Sequence, residues 1–256
     1  MQHVTKLSVN ENFQARSLIG ARNSQKWLEK AMGYAHPPES DDINIYTRIV
    51  REDYAPWIYE MLDVPKQKGN WRKDVFQVSA ETPLDLEVGV GNGYFFEHHR
   101  KTFPNRMCVG LELKYKQLVQ TVKRSLLYDR KHFRLGRFDA KYLDDVFSAG
   151  ELNNVYVFFP DPWEKKRQLK KRLLGPEFLN SLFEMQRPGS FFEFKTDSRA
   201  YYEWVCERIK LTPYILDYQS DNFHFSERAK DNFQTHFEKL WTQKGRPTHY
   251  IKLLRP

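Results

Sequence analysis

From Trp71 onward the chain alternates short β-rich runs with segments long enough for a helix, and this rhythm constrains the fold more than any other feature. LDLEVGV is followed by GYFFEHHRKTF, and MCVGLEL by KYKQLVQTVKRSLLYD. Then come HFRLGRFDA, NNVYVFF with PEFLNSLFEMQ, and SFFEFKTD with SRAYYEWVCERIK. Continuously apolar strands separated by helices predict a parallel sheet covered on both faces. In the second helical segment Leu118, Val119, Val122 and Leu126 share one side, as a helix lying on a sheet requires. The last two runs, PYILDYQ and THYIKLLRP, flank a helical stretch, SERAKDNFQTHFEKLW, and are expected to close the sheet as an antiparallel pair. Residues 1–70 are expected to be a helical extension and linker, leaving 71–256 as the main domain. In the extension SQKWLEKAMGY reads as an amphipathic helix, HPPESDD as a loop, and VPKQKGNWRK as the linker. A second helix is expected over roughly 45–62, with Ile45, Ile49, Tyr54 and Trp57 at near-helical spacing.

The first β-rich run leads into Glu87-Val88-Gly89-Val90-Gly91-Asn92-Gly93. Glycines at alternate positions permit a sharp turn and close approach of a ligand to the backbone. Two nucleotide-like ligands compete for such a turn. The dinucleotide fingerprint is G-x-G-x-x-G with an acid about 20 residues on; here the spacing is G-x-G-x-G, with Glu87 directly ahead of it. Glu112, ending GLEL, is placed for ribose hydroxyls in either case.

Each run ends on a carboxylate: Glu87, Glu112, Asp139, Asp161 and Asp197. In a doubly wound sheet those ends share one edge, where ligands bind. A chain of net charge +8 is therefore expected to gather five carboxylates around one cleft. Pyrophosphate is poorly served there, because like charges repel strongly at low dielectric. S-adenosylmethionine, with a sulfonium, an ammonium and a ribose, fits better. The competing readings are that each acid caps the helix after it, or that several hold Mg²⁺.

Residues 158–172, FFPDPWEKKRQLKKR, join a carboxylate to a block of positive charge: six of the nine residues from Glu164 to Arg172 are Lys or Arg. Pro160 and Pro162 restrict the backbone on either side of Asp161. Charge runs are usually solvated faces, but at the mouth of a cleft this one suits phosphate contacts that position an RNA without reading its sequence. The pI near 9.3 agrees with a polyanionic partner. Trp163 is a base-stacking candidate or simply core. His98 and His99, adjacent on a helix, are expected at the surface, and Tyr201, Tyr202 and Trp204 are expected to pack the fifth helix onto the sheet. Cys108 and Cys206 stand alone, so no metal site and no disulfide is expected. Without a membrane-length apolar run or a signal peptide, the expected location is the cytoplasm.

LEVGVGNG, GLEL, FDA, FFPDPWEKKRQLKKR, FKTD and THFE occur in an order that resembles the TrmB-type tRNA (guanine-N7)-methyltransferases, over the stretch from Trp71 to the C-terminus. The resemblance implies a Rossmann-like class I methyltransferase, a seven-stranded, mostly parallel sheet with helices on both faces and a terminal antiparallel strand. It implies S-adenosylmethionine as cofactor, tRNA as partner, and methylation of the variable-loop guanosine at tRNA position 46. It further implies cofactor contacts at Glu87, Gly89, Gly91, Glu112, Asp139, Ala140 and Asp161, with Asp161 also catalytic. Substrate contacts are implied for Lys165, Asp197 and the Thr235–Glu238 segment, chiefly Thr235 and Glu238, and RNA contacts for Lys166, Arg167, Lys170, Lys171 and Arg172. The chain departs from the family at Glu164, usually Pro, at Gln168, usually His, and at Asn92, often Lys. A nicotinamide-dependent oxidoreductase and a non-catalytic RNA-binding module on the same fold are the rival readings. Neither oligomeric state nor the role of residues 1–70 follows from the sequence.

Overall fold

The computed structural model describes residues 45–256, so SQKWLEKAMGY and HPPESDD lie outside the described residues. Helix α1 (Ile45–Asp53) stops well short of residue 62. Pro56 has no amide proton and disfavours helix at the residue before it, so the helix cannot continue. The chain instead enters β1 (Ile58–Tyr59), which pairs in parallel with β4 (Phe133–Arg137), Ile58 opposite Leu135. Val64–Lys73, expected as a linker, is packed: Val64 and Trp71 are fully buried. The Trp71 ring stacks on Phe147 with centroids 5.7 Å apart, and its Nε1 donates to the Val146 carbonyl at 3.0 Å. A large aromatic with a satisfied N–H anchors a segment that composition alone marks as polar.

The remaining strands are β2 (Leu84–Val88), β3 (Met107–Glu112), β5 (Val155–Phe158), β6 (Phe191–Thr196), β7 (Ile215–Ser220) and β8 (His249–Leu254). They form one sheet in the order β1-β4-β3-β2-β5-β6-β8-β7. Among the described residues only β8 runs against the others, pairing antiparallel with both β6 and β7. Within them the sheet has eight strands rather than seven, the addition being β1. Helix α3 (Tyr115–Leu126) packs with both α1 and α2 (Tyr94–Thr102), and α4 (Pro176–Met185) packs with α5 (Arg199–Ile209) and the turn at Ala140–Asp145. Leu118, Val119 and Val122 of α3 are buried against Phe96, Phe133 and Leu135, the face that their spacing predicts. Strand order reverses between β2 and β5, and ligands of doubly wound sheets bind outside the carboxyl ends at such a switch.

The helical stretch expected over 226–241 is realised only in α6 (His236–Thr242). Thr235 starts it: its side chain accepts from the Glu238 N–H at 3.1 Å, and Glu238 Oε2 accepts from the Thr235 N–H at 3.3 Å. This reciprocal capping box fixes the first turn and leaves the residues before it in other conformations. His99 is not at the surface as expected. It is buried, with Nε2 3.0 Å from Asp85 and Nδ1 3.3 Å from Cys108 Sγ, because Phe96, His99 and Arg100 form the inward face of α2. His98 stacks on Phe233 at 4.1 Å.

Candidate active site

Three of the five strand-end carboxylates meet in one cleft of about 510 Å³. Glu87, Glu112 and Asp161 line it together with the Gly89–Phe95 turn, Lys114, Gln117, Phe158–Pro160, and Thr235, His236, Phe237 and Leu240 from the start of α6. The strands behind these acids, β3, β2 and β5, are neighbours at the switch point. Asp139 and Asp197 end the next strands outward, β4 and β6, and stand outside the cleft wall. Asp139 accepts from the Lys141 N–H at 3.2 Å, capping the following turn, and Asp197 pairs with Arg246 at 3.3 Å. The capping reading therefore holds for Asp139, while the expected ring of five acids contracts to three.

The glycine turn is built by packing on one side and openness on the other. A Cβ at Gly93, where φ is +77°, would sit 2.7 Å from the Thr121 side chain and 2.8 Å from its Cα, so α3 approaches the turn only because that atom is missing. At Gly89, also at φ +77°, a Cβ would meet nothing, so the backbone there stands open. Glu112 ties the turn to β3: one oxygen accepts from the Gly91 N–H at 3.2 Å, the other from the Leu113 and Lys114 amides at 2.8 and 3.1 Å.

Glu87 is held differently. Its side chain is buried, and Oε2 has no hydrogen-bond partner among the described residues. Burial, with the Glu112 charge adding to it, pushes the Glu87 carboxyl well above the ordinary carboxylate range. A buried carboxyl oxygen without a partner is costly unless a ligand supplies a donor. Such a cleft fits a ligand that carries positive charge and hydroxyls.

Asp161 sits on the most constrained backbone of the cleft. Phe159 and Trp163, on either side of Pro160-Asp161-Pro162, have φ of +53° and +43°, a left-handed region that bulky residues rarely adopt. Two contacts hold the turn in place. The Phe159 N–H donates to the Lys195 carbonyl at 2.8 Å, and Arg172 Nε donates to the Pro162 carbonyl at 2.7 Å. Asp161 itself is exposed and forms no hydrogen bond or ion pair with the described residues, so its charge faces the cleft unneutralised.

The basic block divides in two. Lys165, Lys166, Arg167, Lys170 and Lys171 are exposed, and Lys171 lies 4.7 Å from the Trp163 ring centroid. Trp163 is therefore half-buried beneath a lysine rather than a free platform. Arg172 turns inward: it is buried, also donates to the Ala200 carbonyl at 3.2 Å, and packs over the rings of Tyr201 and Trp204. The aromatic cluster of α5 thus packs the helix and seats the end of the basic loop as well. Among the departures from the family, Glu164 accepts from Ser198 Oγ at 3.3 Å and the Asn92 carbonyl accepts from Arg124 Nε at 3.2 Å.

Thr235 reaches the cleft, but Glu238 does not. Glu238 is fully buried behind α6, paired with Lys195 at 3.2 Å. His236 and Phe237, inside the Thr235–Glu238 segment expected to contact substrate, line the cleft mouth together with Tyr94, which the sequence reading passed over. Tyr94 stacks on His236 with centroids 5.2 Å apart, and Arg124 lies over the Tyr94 ring at 3.8 Å. The signal for Tyr94 was position, since it directly follows the glycine turn. A second cavity of about 480 Å³ lies beyond Phe95 and Phe158, but its charged groups are already paired, Lys252 with Glu193 and Arg228 with Asp217, and it contains none of the strand-end acids.

Residues 81–251 match the model of a family described as putative methyltransferase. A tRNA (guanine-N(7)-)-methyltransferase of Bdellovibrio bacteriovorus is 42% identical over 201 residues, 78% of this chain and 96% of the relative. One of the same description from Listeria monocytogenes is 30% identical over 212 residues, covering 79% and 97%. Among solved structures, the 16S rRNA methyltransferase KamB superposes with a TM-score of 0.51 at 16% identity, over 68% of this chain and 88% of that one, a likeness of fold.

Proposed function

The chain belongs to the tRNA (guanine-N7)-methyltransferase family, and from that membership we infer that it carries the methyl group of S-adenosylmethionine to N7 of a guanosine in tRNA. The observation that carries the reading at the level of the site is the convergence of Glu87, Glu112 and Asp161 on one cleft in a net-basic protein. The orphaned Glu87 oxygen and the open backbone at Gly89 fit this cofactor. When bound, it supplies a methyl group activated on a sulfonium. Glu87, Gly89, Gly91 and Glu112 would hold it, with Asp139 and Ala140 extending the site toward β4 and Asp161 closing its reactive end. Glu87 would take the cationic portion and Glu112 the ribose hydroxyls.

Guanine N7 carries a lone pair and no proton, so the reaction needs no general base. Positioning and electrostatics remain. The ring becomes cationic as the bond forms, and a fixed carboxylate beside it stabilises that state more than the neutral ground state. We assign this role to Asp161, whose strained, proline-bounded turn keeps the charge in the cleft. Lys165, Asp197 and Thr235 stand around the same edge as candidate contacts to the guanosine and its neighbours. Lys166, Arg167, Lys170 and Lys171 would take the tRNA phosphates, while Arg172 serves the turn. Residues 71–256 form the transferase domain in this reading, with residues 45–70 packed onto its edge. Among the described residues no helix is long and apolar enough to cross a membrane, and we place the reaction in the cytoplasm with its tRNA substrate.

The test is incubation with bulk tRNA and methyl-labelled cofactor, followed by nucleoside analysis. Label in 7-methylguanosine of the variable loop is expected. Label in another nucleoside, or tight tRNA binding without incorporation, would overturn the reading.

A further inference from the structure

Glu238 is fully buried, and each of its oxygens is occupied. Oε1 accepts from Asn232 Nδ2 at 2.7 Å, and Oε2 accepts from Lys195 Nζ at 3.2 Å and from the Thr235 N–H at 3.3 Å. Lys195 is equally enclosed: its ammonium also donates to Asn232 Oδ1 and to the Phe233 carbonyl at 2.9 Å. Burial lowers the Lys195 pKa, with the Glu238 charge opposing the shift. His224 closes the network from the far side. Its Nδ1 lies 3.0 Å from Gln234 Nε2, and its Nε2 lies 2.8 Å from Thr242 Oγ1, 3.0 Å from Thr248 Oγ1 and 3.5 Å from Glu238 Oε1.

The placement of Lys195 gives this network a consequence for the reaction. On β6 it lies opposite Phe158 of β5, and its carbonyl accepts from the Phe159 N–H, the last amide before the Asp161 turn. Its side chain holds Glu238 of α6, whose first residues form the opposite wall of the cleft. One residue therefore joins the turn bearing the carboxylate to the helix that roofs it, and the rings of Phe159 and Phe237 meet in front of it at 5.0 Å.

We propose that Lys195, Glu238 and Asn232 form a positioning lock that sets Thr235, His236 and Phe237 against Asp161, and that Glu238 acts on methyl transfer through this placement rather than by touching the guanosine. The proposal rests on reading the cleft as the transfer site. A buried ion pair that loses one partner leaves an uncompensated charge, whereas removal of both charges is often tolerated. The lock therefore predicts strong non-additivity between its members.

The experiment compares the unaltered protein with Lys195→Met, Glu238→Gln and the double variant, by single-turnover methylation, cofactor titration and amide hydrogen exchange over Thr235–Thr242. Each single variant is expected to lose about 10- to 100-fold in transfer rate, the scale of an ångström's misplacement. Cofactor affinity is expected to hold within about threefold, and exchange over α6 to accelerate. The double variant is expected to recover to within about fivefold of the starting rate and to regain protection, since no charge is left unpaired. A double variant that folds and binds cofactor yet transfers more than about tenfold below the unaltered protein would overturn the proposal, and this comparison with the unaltered protein stands even if the singles do not fold. Exchange is read independently of activity. If the unaltered protein makes no 7-methylguanosine, the functional reading falls, while unchanged α6 protection in Lys195→Met would overturn the lock itself.

Discussion

Replacing Glu87 by Gln separates what that carboxyl does for the ligand from what it does for the fold. The side chain is buried, Oε2 is without a partner among the described residues, and burial with the neighbouring Glu112 charge raises its pKa well above the ordinary 4.5. A group whose pKa is raised in the folded state contributes stability that is fully present below its unfolded value. That contribution is lost as the pH climbs through the raised folded value. Without cofactor, Glu87→Gln should therefore unfold at a higher temperature than the parent at pH 8, and the gap should close toward pH 4.5. Cofactor binding should respond in the opposite direction. A hydrogen bond between a cationic ligand group and this carboxylate is worth about 1.5–3 kcal/mol, which at 1.4 kcal/mol per decade weakens binding about 10- to 140-fold when it is lost. Calorimetric titration from pH 5 to 9 in two buffers of different ionisation enthalpy reads affinity and proton release together. Because the raised carboxyl must give up its proton to meet a cation, the parent should release more protons on binding than the variant somewhere in that range. Equal affinity and equal proton release in the two proteins throughout would refute the assignment of Glu87 to the charged part of the ligand.

Neutralising Lys166, Arg167, Lys170 and Lys171 together should weaken tRNA binding and flatten its log–log salt dependence by up to about 3.6 units, given roughly 0.7–0.9 unit per phosphate contact. Cofactor affinity should persist, and its loss would show that the loop shapes the cleft. Arg172→Met should give the opposite split, because Arg172 holds the Pro162 carbonyl: transfer about tenfold slower, tRNA affinity and salt slope near normal. A fall in tRNA affinity matching that of its neighbours would return Arg172 to the phosphate-binding set. Gly93→Ala places a methyl against Thr121 at a positive φ, and chemical denaturation should register a loss of about 1–3 kcal/mol. An unchanged midpoint would mean that the turn relaxes freely.

The central part of the sheet was readable because β2 to β6 are largely buried and each is closely followed by or ends near an acid, a pattern that survives without knowledge of strand order. Order is non-local, and it decides which acids converge. Glu112, Glu87 and Asp161 stand on adjacent strands at the switch point, while Asp139 and Asp197 stand one strand further out and are taken up by a cap and an ion pair. Charge pattern marked Arg172 as one of six equivalent cations, yet only it reaches a carbonyl inside the turn. Glu238 carried a local signal that was passed over, since Thr-x-x-Glu is the capping-box spacing as well as a family motif. Its pairing with Lys195 spans 43 residues and has no signature in the sequence. The edge strand β1 was hidden by helical spacing that Pro56 interrupts.

The central claim is that Asp161 stabilises positive charge developing on the guanine. Single-turnover methylation by Asp161→Ala at saturating cofactor and tRNA tests it directly, since binding no longer limits the rate. The account predicts a rate lower by about 100-fold or more, the scale seen when one electrostatic stabiliser of a transition state is removed, in a protein that still folds. A variant that transfers the methyl group at close to the parental rate would contradict it.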